Sequence, residues 1–178
     1  EIGEKGCLKG LDAIRAYFGY MPKIAARPGA IIYHYVDTQV VTIAEDGKTA
    51  KLTCLAPGFD ADAKSLTQNW VYGKYYADLV REENGEWKLW HVRWFRNFEA
   101  PMMIGWLKNQ TAHDDVENHP AMQDVYGEKA PFEAGSYPES WQYPKHYSPD
   151  EVNYLLPEPP APYKTWDGMT AAVKTRKE

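Results

Sequence analysis

The sequence predicts an α+β fold in which one face of an antiparallel sheet packs against helices. The first observation is helical spacing between residues 10 and 21, where apolar side chains recur every three or four positions: Leu11, Ile14, Phe18 and Met21. The second is a pair of hairpin signals, Asp46-Gly47 and Asn84-Gly85, each between segments rich in β-branched and aromatic residues. A helix followed by antiparallel hairpins therefore accounts for the first hundred residues.

The predicted elements follow in chain order from these signals. The helix begins at Gly10 and is expected to end at Met21, because Pro22 and the Arg27-Pro28-Gly29 turn follow it. Alternating apolar and polar residues then predict at least four strands, near 31–44, 48–56, 70–81 and 87–98. Residues 57–68 are polar and predict a loop, and residues 102–108 predict a short helix.

Composition places the chain among single globular domains. Its 178 residues carry 20 basic and 25 acidic side chains, which give a formal net charge of -5. An acidic chain without a basic stripe is not expected to bind nucleic acid, and no apolar run approaches the roughly 20 residues of a membrane helix. The two cysteines cannot form a disulfide framework, so we expect a cytoplasmic protein.

Three segments of the chain differ in character. Residues 1–100 hold the predicted helix and strands, residues 101–130 form a connecting segment, and residues 131–178 combine prolines with tyrosines and tryptophans. A tail of this composition cannot build its own core, yet its aromatic side chains are costly to expose to water. We therefore expect it to pack on the domain or on a neighbouring subunit. A disordered tail is the alternative.

Three stretches, in this order, resemble the SnoaL-like branch of the nuclear transport factor 2 (NTF2-like) superfamily. The first is Gly10-Leu11-Asp12-Ala13-Ile14-Arg15, and the second runs from His34 to Asp46-Gly47-Lys48-Thr49-Ala50. The third lies between Gly73 and His91 and contains Gly85-Glu86-Trp87-Lys88-Leu89. The similarity covers about residues 6–100, and the tail resembles one found on a subset of bacterial members.

This resemblance implies a cone-shaped fold, in which a curved sheet wraps around helices and encloses a central cavity. Family members include dehydratases, isomerases, polyketide cyclases and a lyase acting on lignin-derived aromatics. They usually work without a cofactor, by general acid–base chemistry. Members normally carry helices ahead of the first matching stretch, often with a catalytic Tyr or Asp, whereas nine residues precede Gly10 here. We therefore expect N-terminal helices to be missing from this numbering.

A two-residue turn at Asn84-Gly85 would fix which side chains share a face of the sheet. The resulting pairs are Glu83 with Glu86, Val80 with Leu89, Asp78 with His91, and Tyr76 with Arg93. A one-residue bulge would instead place His91 beside Ala77. The opposite face would be nearly all apolar and is expected to meet a second subunit or the tail: Tyr75, Ala77, Leu79, Trp90, Val92 and Trp94.

His91 is the first candidate for a general base, since an imidazole titrates near neutral pH and exchanges a proton with carbon or oxygen. It follows Trp87 and Leu89 at period two, so we expect it on their side of the sheet, which family members bury against the cavity. Asp78 would orient the ring and raise its basicity. The alternative is a structural His–Asp pair on a wet sheet face.

His34 is the second candidate base, because SnoaL-like members often have a histidine before the Asp-Gly hairpin. The alternative is a satisfied core histidine. Tyr76 and Tyr72 could donate a hydrogen bond to a carbonyl or phenolate oxygen, and Arg93 could hold an anionic or phenolic group. Trp70 would suit an aromatic substrate by stacking. Packing or a surface role is the alternative for each of these four residues.

The sequence therefore favours a cofactor-independent lyase, dehydratase or isomerase that acts on a hydrophobic aromatic or polycyclic small molecule. Elimination of water or formaldehyde, and a double-bond shift, each move one proton and develop one oxyanion, which a His and a Tyr can serve. No metal is expected, since His113 and His119 lack ligand spacing. The alternative is a non-catalytic small-molecule-binding or assembly module. We expect a homo-oligomer, most simply a dimer.

Overall fold

One helix and a five-stranded antiparallel sheet make up most of the fold. The structure is a computed structural model, and it describes residues 1–2, 6–108, 119–126, 147–150 and 152. The elements are α1 (Leu11–Ala25), β1 (Ala30–His34), β2 (Asp37–Ile43), β3 (Thr49–Asp62), β4 (Thr67–Arg81), β5 (Trp87–Pro101), a 3-10 turn (Pro120–Met122) and α2 (Gln123–Tyr126). The strand order is β1-β3-β4-β5, and β2 also pairs with β3. The predicted α+β class is confirmed.

The first helix extends further than its sequence predicts. It passes through Pro22 and ends at Ala25, four residues beyond the expected end at Met21. Proline removes one helical donor, but its own carbonyl still accepts the Ala26 N–H at 2.9 Å, so the last turn closes. Gly29, with φ +79°, then turns the chain into β1.

The apolar stripe of α1 is not buried along its whole length. Leu11 and Phe18 are each 66% exposed, and no residue of the helix is fully buried. Its C-terminal end packs instead, where Ile24 contacts Met122 and Val125 around α2. The helix therefore packs by its last turns, whereas the apolar side chains Leu11 and Phe18 stay largely exposed.

The segment predicted as one strand near 31–44 forms two strands, β1 and β2. Both pair with β3, and the chain is interrupted at residues 35–36. Pro57 of β3 lies at this interruption, where its carbonyl accepts the Tyr35 N–H at 2.9 Å. In an antiparallel strand the N–H and C=O groups of one residue point toward the same neighbouring strand. The nitrogen of Pro57, which carries no hydrogen, therefore faces the gap between β1 and β2, where the sheet needs no hydrogen bond from it.

The loop predicted over residues 57–68 is wrong, because strands occupy most of it. β3 continues to Asp62 and β4 begins at Thr67, which leaves a four-residue turn. The Asp62 carboxylate accepts the Lys64 N–H at 2.8 Å and also pairs with Arg27, which follows α1. A polar stretch can therefore be a tight turn when one carboxylate satisfies its backbone donors.

The hairpin between β4 and β5 differs from the predicted two-residue turn. Arg81 pairs with Trp87 across a longer turn, so Leu89 pairs with Leu79 rather than with Val80. A bulge at Trp90 then restores the predicted register, and the pairings of Asp78 with His91 and of Tyr76 with Arg93 are confirmed. The bulge places His91 and Leu89 on opposite faces, so the expectation that His91 shares the side of Trp87 and Leu89 is wrong.

Irregularities in the strands curve the sheet. Register shifts occur in the β2–β3 pairing and twice in the β4–β5 pairing, and bulges bend and twist a strand. The sheet ends at Pro101. The helix predicted over residues 102–108 is absent from this described segment, because the chain forms turns around Gly105, whose φ is +73°.

The tail is described only at residues 147–150 and 152. There the Tyr147 N–H donates to the Asn97 carbonyl at 3.0 Å, and the Tyr147 ring lies 6.0 Å from the Phe98 ring. This part of the tail contacts β5. The remainder of the expected packing of residues 131–178 lies outside the described residues, as do residues 109–118 and 127–130 of the connecting segment.

Candidate functional site

The register of the sheet divides its side chains between two faces, because successive strand residues point to opposite sides. The face toward α1, called the α1 face, carries His34, Tyr75 and Trp94; α1 contacts β1, and its Tyr17 interacts electrostatically with Tyr75. The other face, called the far face, carries Lys51, Tyr72, Tyr76, Asp78, His91 and Arg93. The two candidate bases, His34 and His91, therefore lie on opposite faces.

His34, Tyr75 and Trp94 form one contact group on the α1 face. His34 Nδ1 lies 3.2 Å from the Tyr75 hydroxyl oxygen, within hydrogen-bond distance. The His34 ring stacks on the Trp94 indole, with centroids 4.5 Å apart and planes 21° apart. The Tyr75 ring also lies 4.7 Å from that indole. These side chains come from β1, β4 and β5, so the register of the whole sheet brings them together.

Two glycines make room for this group. Gly58 pairs with His34, and a Cβ atom there would overlap a backbone carbonyl of β1 and press on the His34 ring. A Cβ atom at Gly73 would overlap the Trp94 indole. The imidazole and the indole can therefore lie flat because the neighbouring strands present bare backbone at these two positions.

Burial sets the protonation states of the pair. It lowers the pKa of His34 below its ordinary value, and the Glu99 carboxylate opposes this shift in part. Burial also raises the pKa of the Tyr75 hydroxyl, with smaller contributions from Cys54 and Tyr17. At neutral pH the group therefore holds a neutral imidazole, which accepts a proton, and a neutral phenol, which donates one.

The hydrogen bond between His34 and Tyr75 determines which atoms can face a substrate. When His34 Nδ1 carries the proton and donates to the Tyr75 oxygen, Nε2 keeps a free lone pair and the Tyr75 O–H remains available. This tautomer offers a base and a hydrogen-bond donor at once. Once protonated, the imidazolium would be stabilised by the Trp94 π face and by the Glu99 carboxylate. The arrangement can therefore move one proton and stabilise one developing oxyanion.

The far face holds His91 in a cluster of matched charges. Lys51 pairs with Asp78, and both side chains are buried. His91 Nε2 lies 2.8 Å from the Glu1 carboxylate, and His91 Nδ1 lies 3.1 Å from Arg93 Nη2. His91 Nδ1 has a hydrogen-bond partner, whereas Nε2 lies beside the Glu1 carboxylate without hydrogen-bond geometry. Because the ring lies inside an ion cluster, this arrangement favours the structural alternative for His91. A catalytic role for His91 and Asp78 stays a prediction.

The same cluster contains the only three described side chains that could together hold a metal ion. Donor atoms of Glu1, Cys7 and His91 lie within 4.8 Å of one another. However, Arg93 Nε donates to the same Glu1 carboxylate at 2.7 Å, and a guanidinium at this distance repels a cation. The geometry alone admits a metal, whereas the electrostatics oppose one.

Trp70 and Tyr72, the predicted aromatic contacts, line an apolar groove on the far face. Its volume is about 480 Å³, and the other lining residues are Tyr35, Pro57, Gly58, Phe59, Val71, Phe98 and Trp106. The groove lies six residues along β4 from Asp78, roughly 20 Å at the usual rise of a strand. Trp70 and Tyr72 are therefore brought together, but far from the cluster that holds His91, Arg93 and Asp78.

Comparison with known proteins assigns a family. A family model described as a SnoaL-like domain matches residues 1–93, more than half of the chain. The chain belongs to the SnoaL-like family. No curated protein matches it. Among the described residues of this SnoaL-like protein, no helix is long and apolar enough to cross a membrane.

A solved structure from Novosphingobium aromaticivorans, whose name suggests an aromatic ring hydroxylase, is similar to part of the SnoaL-like chain. The identity is 24% and the TM-score is 0.33, over 42% of this chain and 50% of that one. The chain thus spans about half the length of the structure it matches. A similarity of this size adds nothing to the site.

The residues that sequence reasoning missed are Tyr75 and Glu99. Sequence reasoning placed Tyr75 and Trp94 on an apolar face, because it aligned only β4 with β5. Neither of these two strands supplies a polar partner for them. The missing partner, His34, comes from β1 through β3. The one signal that pointed to this group was the histidine that precedes the Asp-Gly hairpin.

Proposed function

We propose that this SnoaL-like protein catalyses a cofactor-independent proton transfer, as a lyase, dehydratase or isomerase, on a hydrophobic aromatic small molecule. The observation that carries the proposal is the His34–Tyr75 hydrogen bond on the Trp94 ring. His34 Nε2 removes a proton from carbon, the Tyr75 O–H donates a hydrogen bond to the oxygen that gains charge, and Trp94 provides a flat apolar platform. His34 and Tyr75 are the catalytic residues of this proposal.

The experiment uses 5-nitrobenzisoxazole, an uncharged aromatic probe whose ring opens when a base removes its C–H proton. The proton passes to the base, the N–O bond breaks, and a phenolate forms that absorbs visible light. Replacing His34 by Gln should slow this reaction by roughly 10²- to 10⁴-fold. Tyr75→Phe should slow it by roughly 10²-fold, because an oxyanion donor is lost.

His119→Gln provides a matched histidine control away from the sheet. His119 accepts the Ala121 N–H at 3.2 Å where the 3-10 turn begins, so this variant should keep the full rate. If His34→Gln kept the rate and His91→Gln lost it, the base would lie on the far face and the proposal would fail. Equal rates in all variants would mean that neither His34 nor His91 acts as the base.

A second candidate function, the non-catalytic binding module, is favoured by the far-face groove. The groove has the size of a small-molecule site, and the described residues that line it include no carboxylate, imidazole or amine. An uncharged ring such as naphthalene should bind there, and Trp70→Ala should weaken its binding while Tyr75→Phe leaves it unchanged. The homo-oligomer predicted from the sequence remains a proposal, and gel filtration with light scattering would test it.

A further inference from the structure

The strand β2 forms an open edge of the sheet. It pairs with β3 on one side, and among the described residues no strand pairs with its other side. All seven residues of β2 are exposed. The edge formed by β5 differs, because the Trp94 N–H already donates to the Glu1 carbonyl at 2.9 Å. The described part of the chain therefore leaves one side of β2 open to a further strand.

The composition of β2 suits a pairing strand better than a solvated edge. Val40, Val41 and Ile43 are 48%, 54% and 56% exposed. Proteins usually protect an edge strand from association with lysine, with proline or with a covering segment. β2 carries neither lysine nor proline. Its one carboxylate, that of Asp37, accepts the Thr38 N–H at 2.9 Å where the strand begins. An apolar edge without these protections favours association with another strand.

Backbone hydrogen bonds decide which residues of β2 can pair outward. The Ala44 N–H donates to the Thr49 carbonyl at 2.9 Å, so these two residues form a hydrogen-bonded pair of the β2–β3 hairpin. Such pairs alternate along antiparallel strands, so Thr42 also points its N–H and C=O groups at β3. The backbone groups of Val41 and Ile43 therefore point away from β3, toward the open edge.

A second copy of this chain fits the edge in one register. A two-fold axis makes the contact self-complementary, so each residue pairs with the residue that mirrors it about the axis. With the axis at Thr42, Val41 lies opposite Ile43 of the partner subunit in a hydrogen-bonded pair, and the axis repeats this pair. Thr42 lies opposite Thr42 of the partner subunit, which is a favourable cross-strand pair. Two valines and two isoleucines then meet on the α1 face of the sheet.

The neighbouring registers that satisfy the same backbone groups are less favourable. With the axis at Val41, Asp37 would lie opposite Glu45 of the partner subunit, and like charges directly opposite each other are destabilising. With the axis at Val40 or at Ile43, an apolar side chain would lie opposite a carboxylate. The register with the axis at Thr42 avoids both conflicts.

We infer that β2 pairs with β2 of a second copy in the register centred on Thr42, so that one antiparallel sheet runs through both copies. This edge is distinct from the sheet face on which the sequence predicts subunit contact. A contact of one short strand from each copy buries less than the roughly 1,200 Å² of a standard interface. The dimer is therefore weak and forms as the protein concentration rises, and it does not depend on the function proposed above.

Cysteine cross-linking tests the register directly. Across the axis, the two Thr42 Cα atoms would lie about 4.5 Å apart, within the range that a disulfide spans. The background is Cys7→Ser, which leaves only the buried Cys54. In this background, Thr42→Cys should form a disulfide-linked dimer when it is oxidised with copper phenanthroline. Val40→Cys is the matched control and should stay monomeric on a non-reducing gel. It is exposed on the same strand and the same face, but its two copies would lie about 14 Å apart along the strands.

Sedimentation velocity over a range of protein concentrations measures the association itself. Val41→Lys should raise the dissociation constant by about 10-fold or more, because it places two charges at the contact in each dimer. Val41 is more than half exposed, so this variant should keep the melting temperature of the parent chain. Leu66→Lys is the control and should change neither quantity, because Leu66 is 89% exposed in the turn between β3 and β4.

A chain that stays monomeric at every concentration, with no cross-link in Thr42→Cys, would overturn the inference. Equal cross-linking of Val40→Cys and Thr42→Cys would also overturn it, because no single register brings both pairs together. Association that persists in Val41→Lys without a Thr42→Cys disulfide would overturn it as well and would assign the contact to another surface, such as the sheet face.

Discussion

Replacing Gly73 by Ala tests whether the bare backbone beside Trp94 is required. The added Cβ would overlap two atoms of the indole ring and the Phe95 carbonyl oxygen, so a side chain and a strand must both move. Overpacking of this kind costs about 1–3 kcal/mol. For a chain of this length each kcal/mol lowers the melting temperature by about 2–4 °C, so we expect a loss of about 2–12 °C. Thermal unfolding followed by circular dichroism measures it.

Two further variants assign the cause of that loss. Gly19→Ala is the matched control, because nothing lies within 4 Å of its Cβ position and it lies inside α1; it should stabilise by about 0.5–1 kcal/mol. In a Trp94→Leu background, Gly73→Ala should cost less, with a coupling energy of about 0.5–3 kcal/mol. A melting temperature unchanged by Gly73→Ala, or a cost that is the same in both backgrounds, would refute the assigned overlap.

Three other predictions concern stability. Burial lowers the pKa of His34, so the unfolded chain binds a proton more readily than the folded one. Stability should therefore fall as the pH drops below about 6.5. His34→Gln should reduce this pH dependence in melting curves. Asp78→Asn should cost about 3–5 kcal/mol in urea unfolding, because it leaves Lys51 charged and buried. Asp62→Asn should cost less than Asp62→Ala, because Asn keeps a turn acceptor while losing the Arg27 ion pair.

The fold class could be predicted because its signals are local. Helical spacing in α1 and the two hairpin signals each depend on residues close in sequence, and the helix and both hairpins form, although α1 is longer and the second turn wider than expected. The predictions fail at residues 57–68 and 102–108, where a single residue decides a local structure that the composition does not indicate. The Asp62 carboxylate turns a polar stretch into a tight hairpin, and Gly105 prevents a short helix.

The site could be predicted only in part, because bulges decide which face a side chain occupies. Uninterrupted pairing from the Asp46-Gly47 turn would place His34 opposite Phe59, but a shift near Thr38, whose φ is +48°, pairs it with Gly58 instead. No residue type marks such a bulge. The Asp78–His91 pairing was predicted correctly because a longer turn and the bulge at Trp90 compensate for each other.

A wet sheet face was the alternative for the Asp78–His91 pair, and the structure instead buries most of the charges around it. Lys51, Asp78 and Arg93 are each 3% exposed. Sequence patterns assign charged residues to solvent, since a buried charge needs partners that come from other strands. Here the partners come from β3, β4, β5 and the N-terminal residues, so only the complete register reveals them.

The buried charges have a mechanical consequence for the opposite face, since both faces share one backbone. Tyr75 is adjacent to Tyr76, and Trp94 is adjacent to Arg93. If β5 shifted by one residue against β4, the Arg93 side chain would move to the face that carries Tyr75 and lose its ionic partners. Each buried ion left without its partner would cost several kcal/mol. The buried ion pairs of the far face therefore fix the register of these strands. The fixed register in turn keeps the Tyr75 hydroxyl and the His34 imidazole on the other face at a constant distance.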